Sequence, residues 1–259
     1  MVARLLDVTE NAQGWVSLKL NRPKERNALN GALLEELAEA LEDFGHRSST
    51  RLLVLEGPVG AFCSGADLAW LRSSHQDEFQ RQMGLFHGLI LGVVRSAAPV
   101  LGLISGPAAG FGADLAWSCD LRVMHEKAFF EESFSKIGLM PDGGGTYWMN
   151  ELLGPRAFSA IARAKRFYAP EALQLGLVEE IWTTDDWEPK RKDWLTHFCS
   201  IAPLSLRESK KAINAHRLPL LQAALKRESE GQERLLQSKD HKEGLTAFFE
   251  KRQPQYCGE

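Results

Sequence analysis

Three glycine-rich segments of this 259-residue chain could place backbone N–H groups against a ligand. They are residues 61–68 (AFCSGADL), 106–115 (GPAAGFGADL) and 138–146 (GLMPDGGGT). Glycine lets the backbone approach a ligand closely and leaves its N–H groups free to point at it. Two such loops side by side can direct two N–H groups at one oxygen atom, which is how an oxyanion hole is built. Each segment alone is more typical of a tight turn, and none has the glycine spacing of a known phosphate-binding motif.

The elements that would position these loops alternate between strand-like and helix-like patterns over the first half of the chain. Residues 15–20 place apolar side chains at every second position, which is the period of a strand. Asn30 can cap a helix whose apolar residues recur at three and four positions as far as Phe44. A second helix, passing through Phe79, must end before Pro99, because the residue ahead of a proline disfavours helical geometry. Buried strands are predicted at residues 51–55, 100–104 and 121–124.

Strand signals stop after about residue 185, and four helices are predicted for the remainder of the chain. They are placed at residues 187–200, 204–215, 219–237 and 239–251. The sequence therefore predicts an α/β fold in which repeated β–β–α units form a core over residues 1–185. A helical region over residues 186–259 follows this core. Each glycine loop then lies at a strand end or at a helix start.

Composition narrows the class of protein. Hydrophobic residues make up 44% and charged residues 25%, which is typical of a globular domain and excludes a disordered or fibrous chain. The net charge of −3, with scattered basic residues, gives no electrostatic reason to expect nucleic-acid binding. No apolar run is long enough to span a bilayer, and the charged first ten residues do not resemble a secretory signal. The four cysteines lack metal-site spacing, so we expect reduced thiols in a cytoplasmic protein.

Several further motifs accompany the glycine loops in a fixed order. They are residues 21–23 (NRP), 27–29 (NAL), 119–122 (CDLR), 172–178 (ALQLGLV) and, near the end, 243–244 (EG) with 248–252 (FFEKR). Together with the loops, these motifs resemble those of the enoyl-CoA hydratase/isomerase (crotonase) family, and the likeness covers nearly the whole chain. The resemblance implies a crotonase-like spiral core with a C-terminal helical trimerisation region. Such trimers are often paired as hexamers.

The resemblance also implies where the oxyanion hole lies. In the family, one backbone N–H from each of the first two glycine loops binds the thioester oxygen of an acyl-CoA, and the matching residues here are Ala66 and Phe111. The family commonly has glycine where this chain has Phe111, so the benzyl group must turn away or line the acyl pocket. Preorganised donors at this place would stabilise a thioester enolate by several kcal/mol.

The reaction implied by the resemblance depends on carboxylates. Hydratases of the family use two glutamates to hold and activate a water, and here Asp114 and Phe134 stand at those positions. A phenyl group cannot accept a proton, which argues against a standard hydratase mechanism. Asp142 stands where isomerase-like relatives carry their working carboxylate, and one carboxylate can move a proton between C2 and C4 of a 3-enoyl thioester. We therefore expect enoyl-CoA double-bond isomerisation with Asp142 as the proton shuttle, its pKa tuned by burial in an apolar pocket.

Alternatives remain for both the residues and the function. Asp142 can act as a helix cap, and Asp114 can make a purely structural hydrogen bond. Asp114 and Asp142 together could still activate a water, so enoyl-CoA hydration is the second interpretation. The third is a non-catalytic protein that binds an acyl-CoA or an acyl group held by a carrier protein.

The remaining contacts to the substrate are implied by the same resemblance. Predicted contacts to the acyl-CoA are Lys24, Arg26, Ser64, Gly65, Asp67, Leu68, Gly110, Phe134, Phe249 and Lys251. Candidates for the acyl pocket are Trp70, Leu71, Met83, Phe86, Trp117, Tyr147 and Trp148. In the family the last helix completes a site of a neighbouring subunit, and basic side chains suit the phosphates of coenzyme A. No metal or redox cofactor is implied, because coenzyme A is part of the substrate.

Overall fold

The computed structural model describes residues 4–73 and 78–259, and its strands form two sheets. The strands are β1 (Leu6–Glu10), β2 (Trp15–Leu20), β3 (Leu52–Glu56), β4 (Val100–Ile104), β5 (Ala108–Ala109), β6 (Leu121–His125), β7 (Phe129–Glu131), β8 (Arg166–Tyr168) and β9 (Glu180–Trp182). The helices are α1 (Gly31–Gly45), α2 (Leu68–Ser73), α3 (Phe79–Arg95), α4 (Phe111–Ser118), α5 (Gly145–Leu153), α6 (Ala157–Ala162), α7 (Ala169–Gln174), α8 (Trp187–Ser200), α9 (Pro203–Leu236) and α10 (Lys239–Glu250).

The larger sheet carries six strands in the order β1-β2-β3-β4-β6-β9. β1 pairs antiparallel with β2, and the other neighbouring strands pair parallel. Every residue of β3 and β4 is buried, as expected of parallel strands that are covered on both faces. Because crossover connections join parallel strands, the carboxyl ends of β3 and β4 meet at one edge of the sheet. The first two glycine loops leave the sheet at that edge.

Two hydrophobic cores cover the faces of this sheet. Leu53 and Leu55 of β3 point into the larger core, which also takes the apolar faces of α1 and α3. Leu52 and Val54 point to the opposite face, where they join a smaller core that includes Trp182 and residues of α8. The alternation follows from the two-residue period of a strand. The sheet is therefore a buried support for the loops at its edge.

The smaller sheet holds the second glycine loop. β5 pairs parallel with β7, which pairs antiparallel with β8. The Gly110 N–H, just after β5, donates to the Glu131 carbonyl at 2.8 Å. The backbone that leads into α4 is thereby fixed before the helix begins.

The C-terminal region is helical, but its longest helix differs from the prediction. Two helices were expected at residues 204–215 and 219–237, whereas α9 runs without interruption through 34 residues with Pro219 inside it. Proline removes one helical hydrogen bond, and here the packing of Leu221 and Leu225 against the core offsets that loss. The predicted break at Pro219 is therefore wrong.

Most other predicted elements are confirmed. β2 and β4 have the predicted bounds, and β3 and β6 differ from the prediction by one residue. The Asn30 side chain caps α1 by accepting from the Leu33 N–H at 3.0 Å, and α3 ends at Arg95, ahead of Pro99. The predictions did not include β1, β5, β7 and β8. β5, β7 and β8 have two or three residues, too few to show a period, and Leu6 is the one buried residue of β1.

No helix within residues 4–73 and 78–259 combines the length and the apolar character that crossing a membrane would require.

Candidate active site

The first two glycine loops run side by side. The Cys63 N–H donates to the Pro107 carbonyl at 3.2 Å, and the Ala109 N–H donates to the Cys63 carbonyl at 3.0 Å. At Gly112 the loops approach so closely that an added Cβ would lie 2.3 Å from the Cys63 oxygen. Glycine is therefore required at this crossing, and the two loops are held in register by backbone contacts.

Ala66 and Phe111, the predicted oxyanion-hole residues, lie in these paired loops. A Cβ placed on Gly65 would lie 3.4 Å from the Phe111 nitrogen, so the segment ahead of Ala66 passes directly beside that N–H. Phe111 is the first residue of α4, where helix N–H groups have no partner within the helix. Among the described residues, neither N–H donates a hydrogen bond to another group. Both donors are thus available to an oxygen atom of a ligand, and the positive end of the α4 dipole adds to the field there.

The Phe111 side chain is buried between α3 and the third glycine loop. Its ring centroid lies 4.6 Å from that of Phe86, and a Cβ on Gly143 would lie 2.8 Å from the Phe111 ring. The ring therefore packs behind the wall that Phe86 contributes to the cavity.

A cavity of about 270 Å³ lies between Leu68, at the end of the first loop, and the third loop, and Asp142 lies in its wall. Neither Ala66 nor Phe111 is among the described residues that line it. Its apolar lining consists of Leu68, Leu71, Phe79, Met83, Phe86, Leu139, Leu236 and Leu245. Its polar lining consists of Arg72, Gln82, Asp142, Gln232 and His241. Of the predicted pocket residues, Leu71, Met83 and Phe86 line this cavity, whereas Trp117, Tyr147 and Trp148 are buried in the core instead. α9 and α10 contribute part of the wall, so the helical region completes this cavity within the same chain.

The Asp142 carboxylate is held by a glutamine from α9. Gln232 Nε2 donates to Asp142 Oδ2 at 2.7 Å, and Gln232 Oε1 accepts from the Met140 N–H at 3.2 Å. The second contact fixes which end of the amide faces Asp142. Burial raises the pKa of Asp142 to about 7, although the hydrogen bond from Gln232 works in the opposite direction. Asp142 is therefore a carboxyl that can exchange a proton near neutral pH.

The backbone of the third glycine loop is fixed by other contacts. The His87 Nε2 lies 3.1 Å from the Asp142 carbonyl oxygen, on the α3 side of the loop. On the α9 side, the Glu228 carboxylate accepts from the Gly144 and Thr146 N–H groups at 2.7 and 2.8 Å. A carboxylate at the start of α5 is favourable because the helix N-terminus is positive. These contacts leave the Asp142 side chain as the part of the loop directed at the cavity.

Asp114 lies behind the glycine segment that follows Asp142. Its Oδ2 accepts from the Gly143 N–H at 2.9 Å, and a Cβ on Gly145 would lie 2.4 Å from its Oδ1. Asp114 is fully buried, and it is not among the described residues that line the cavity. Burial raises its pKa well above the usual range, and the negative charges of Glu132, Glu228 and Asp142 act in the same direction. Asp114 therefore favours its protonated form.

Glu132 is a buried acid that the sequence predictions missed. It is 1% exposed, and within the described residues its carboxyl group has no partner apart from the neighbouring carboxyl of Asp114. Burial raises its pKa to about 8. Its neighbour Glu131 is also buried but makes ion pairs with Lys136 and Arg166, so the two adjacent glutamates differ in environment. The position of Glu132 directly after strand β7 could have indicated a buried site residue, but β7 was not predicted from the sequence.

The remaining predicted residues lie around the first two loops and on α10. Phe134 is buried, with its ring 3.8 Å from where a Cβ of Gly110 would be. Asp67 pairs with Arg22 at 2.9 Å and also accepts from two N–H groups at the start of α2, so its carboxylate is engaged within the protein. Lys24, Arg26 and Ser64 lie together on the exposed rim of the first loop. Phe249 and Lys251 are exposed at the end of α10.

Comparison with known proteins decides the family. Residues 10–259 match the family model described as enoyl-CoA hydratase/isomerase. The chain belongs to the enoyl-CoA hydratase/isomerase family. The crotonase resemblance and the α/β fold predicted from the sequence are thereby confirmed.

Some relatives of this enoyl-CoA hydratase/isomerase family member are named hydratases, and others are named isomerases. A probable enoyl-CoA hydratase from Rhodobacter capsulatus is 35% identical over 250 residues, covering 96% of each chain. The 1,2-epoxyphenylacetyl-CoA isomerase of Escherichia coli is 29% identical, covering 95% of this chain and 96% of that one. A crystal structure of an enoyl-CoA hydratase from Mycobacterium avium subsp. paratuberculosis superposes with a TM-score of 0.88 at 32% identity, covering 98% of this chain and 99% of that one. The protein is thus an enzyme of this family, and its relatives leave the choice between hydratase and isomerase open.

Proposed function

We propose that this enzyme isomerises the double bond of an enoyl-CoA. The N–H groups of Ala66 and Phe111 hold the thioester oxygen, which lowers the energy of the enolate formed when a proton leaves C2. The Asp142 carboxylate takes that proton from a 3-enoyl-CoA and returns it to C4, so the double bond moves to C2. Substrate and product have the same composition, so no water is consumed. One carboxylate suffices to remove the proton from C2 and to deliver it to C4.

The observation that carries this proposal is the different placement of the two aspartates. Asp142 faces an apolar cavity with a pKa near 7, whereas Asp114 lies behind Gly143 with one oxygen committed to that N–H. Hydration needs two groups that hold a water against the substrate, and Phe134 offers no proton acceptor at the second family position. The geometry therefore supports a single working carboxylate.

The mode of acyl-CoA binding and the assembly are further parts of the proposal. Lys24 and Arg26, exposed beside the first loop, would attract the phosphates of coenzyme A, and Lys251 at the end of α10 would do so from the same or a neighbouring subunit. We expect a homotrimer or a pair of trimers, as the family resemblance implies. The cytoplasmic location stays a prediction.

Isotope exchange tests the reaction directly. We would incubate 3-enoyl-CoA and 2-enoyl-CoA with the protein in heavy water and record mass spectra. Isomerisation predicts a moved double bond and no gain of water, and deuterium enters C4 to the extent that the proton on Asp142 exchanges with solvent before it is returned. The Asp142→Asn variant should lose this activity by roughly a thousandfold, because general-base catalysis contributes that order of rate. Asp185→Asn, a change at an exposed aspartate far from the cavity, serves as the control.

The other outcomes favour other functions. Addition of one water across the double bond would contradict the proposal and support hydration by Asp114 and Asp142. If both substrates came back unlabelled and with the double bond in its original place while binding persisted, the protein would be a non-catalytic binder of acyl-CoA or of a carrier-bound acyl group.

A further inference from the structure

A side-chain amide interrupts the apolar wall of the cavity that contains Asp142. Four residues of α3 line this cavity: Phe79, Gln82, Met83 and Phe86. Positions three, four and seven residues apart lie on one face of a helix, so Gln82 belongs to the stripe that faces the cavity. Gln82 is 9% exposed, and its Nε2 has no hydrogen-bond partner among the described residues.

This unpartnered donor sets Gln82 apart from the other polar groups around it. Gln232 uses both ends of its amide, on Asp142 and on Met140. The His241 Nδ1 lies 2.8 Å from the Ile137 carbonyl oxygen. Buried donors in folded proteins nearly always have an acceptor, and one without an acceptor destabilises the folded state. Of the buried donors without a partner in the described part of the chain, the Gln82 amide is the one that lines this cavity, so an acceptor on a bound ligand would satisfy it.

We propose that Gln82 donates a hydrogen bond to an oxygen atom on the acyl chain of the substrate. The substrate class is then a 3-enoyl-CoA whose otherwise apolar chain carries a hydroxyl, carbonyl or ether oxygen beyond the reacting carbons. This inference rests on the proposed function, because it takes the cavity beside Asp142 as the acyl site. Gln82 is a specificity-determining residue in this arrangement and moves no proton.

Matched substrates test the inference. We would compare 3-octenoyl-CoA with its 6-, 7- and 8-hydroxy derivatives and express each kcat/KM as a ratio to that of the plain chain. The wild type should prefer at least one hydroxy derivative by roughly tenfold or more, because a site built to donate a hydrogen bond rejects an analogue that lacks the acceptor. In Gln82→Met, a change of similar size without the donor, the same ratio should fall below one. Gln80→Met, at an exposed position of the same helix, should keep the wild-type ratio.

A ratio at or below one for every hydroxy derivative of the wild type would overturn the inference. So would a ratio that Gln82→Met leaves unchanged. If Gln82→Met does not fold, Gln82→Asn decides instead, since it withdraws the amide by one methylene and should lower the same ratio.

Binding separates this inference from the proposed reaction. Octanoyl-CoA and its hydroxy derivatives cannot isomerise, and calorimetry gives their affinities for wild type and Gln82→Met. A preference for the hydroxy compound that Gln82→Met abolishes would support the role of Gln82 even if no 3-enoyl-CoA is turned over. Isomerisation without any preference in rate or affinity would overturn the role of Gln82 alone.

Discussion

At the scale of single residues, Asp142 has the environment of a working base. Its carboxylate contacts an apolar cavity on one side and the amide of Gln232 on the other. The cavity disfavours the charged form and the amide favours it. The position of Asp142 and the incomplete family pair at Phe134 could be read from the sequence. The contact between Gln232 and Asp142 could not, because 90 residues separate the two and no local pattern links them.

The first prediction concerns the pH dependence of the reaction. A base must be ionised to accept a proton, and burial raises the pKa of Asp142 to about 7. We therefore expect kcat/KM for 3-enoyl-CoA to rise with pH through about 7 and to level off above it. The measurement is a rate profile between pH 5 and 9. A flat profile across this range would contradict the assignment of Asp142 as the base.

The second prediction concerns Gln232 as a positioning residue. In Gln232→Leu the carboxylate loses its donor, so the charged form is less stable and the pKa of Asp142 rises. The rising limb of the rate profile should move to higher pH by about one unit. Gln222→Leu, at an exposed position of α9, should leave the limb in place. A purely structural role for Gln232 would lower the rate at every pH without moving the limb.

At the scale of elements, the paired loops at the end of β3 and β4 form a rigid unit. Their glycines and their order were predictable from the sequence, because turn residues and apolar strands are local signals. The pairing of β5 with β7 was not, since strands of two or three residues carry no measurable period. Glu132 was missed for the same reason. Glu228 and Gln232 did leave a signal, because they continue the buried stripe of Leu221 and Leu225 along α9.

The third prediction tests the close approach of the two loops. A methyl group at Gly112 would collide with the Cys63 carbonyl, so Gly112→Ala must push the loops apart. We expect a loss of about 2 kcal/mol in the free energy of unfolding and a larger loss in kcat than in substrate affinity. Denaturant unfolding and steady-state kinetics measure the two effects.

A glycine in open space provides the control for Gly112→Ala. Gly88 lies on the exposed side of α3, where an added Cβ meets nothing within 4 Å. Gly88→Ala should stabilise the protein by up to about 1 kcal/mol, because alanine favours helix. Equal destabilisation by both changes would show that the contact with Cys63 is not the cause.

At the scale of the whole molecule, four acids are gathered around one loop. Asp114, Glu132, Asp142 and Glu228 come from four different segments, and burial raises the pKa of each. In the folded protein they hold protons at pH values where the unfolded chain has released them. At these four groups the folded state binds more protons than the unfolded state, so their contribution to stability falls as pH rises. Burial lowers the pKa of His87 and His241, which works in the opposite direction, but the two histidines are fewer than the four acids.

The fourth prediction follows from this proton balance. Between pH 5 and 8 the melting temperature should fall by roughly 5 °C or more. Glu132→Gln removes one buried acid whose pKa is raised to about 8, so the fall should become smaller. Glu126→Gln, at an exposed position, should leave the slope unchanged. A melting temperature that rises across this range would contradict the prediction.

The contribution of α9 and α10 to the cavity has a consequence for the synthesis of the protein. The oxyanion-hole loops and Asp142 leave the ribosome long before Gln232, and Leu245 of α10 follows later still. In the proposed mechanism, a nascent chain that has emerged through residue 185 has both N–H donors and the base, yet nothing to orient the base or to close the cavity around an acyl chain. We therefore expect a chain that ends before Gln232 to be inactive, although it already carries the oxyanion-hole loops and Asp142.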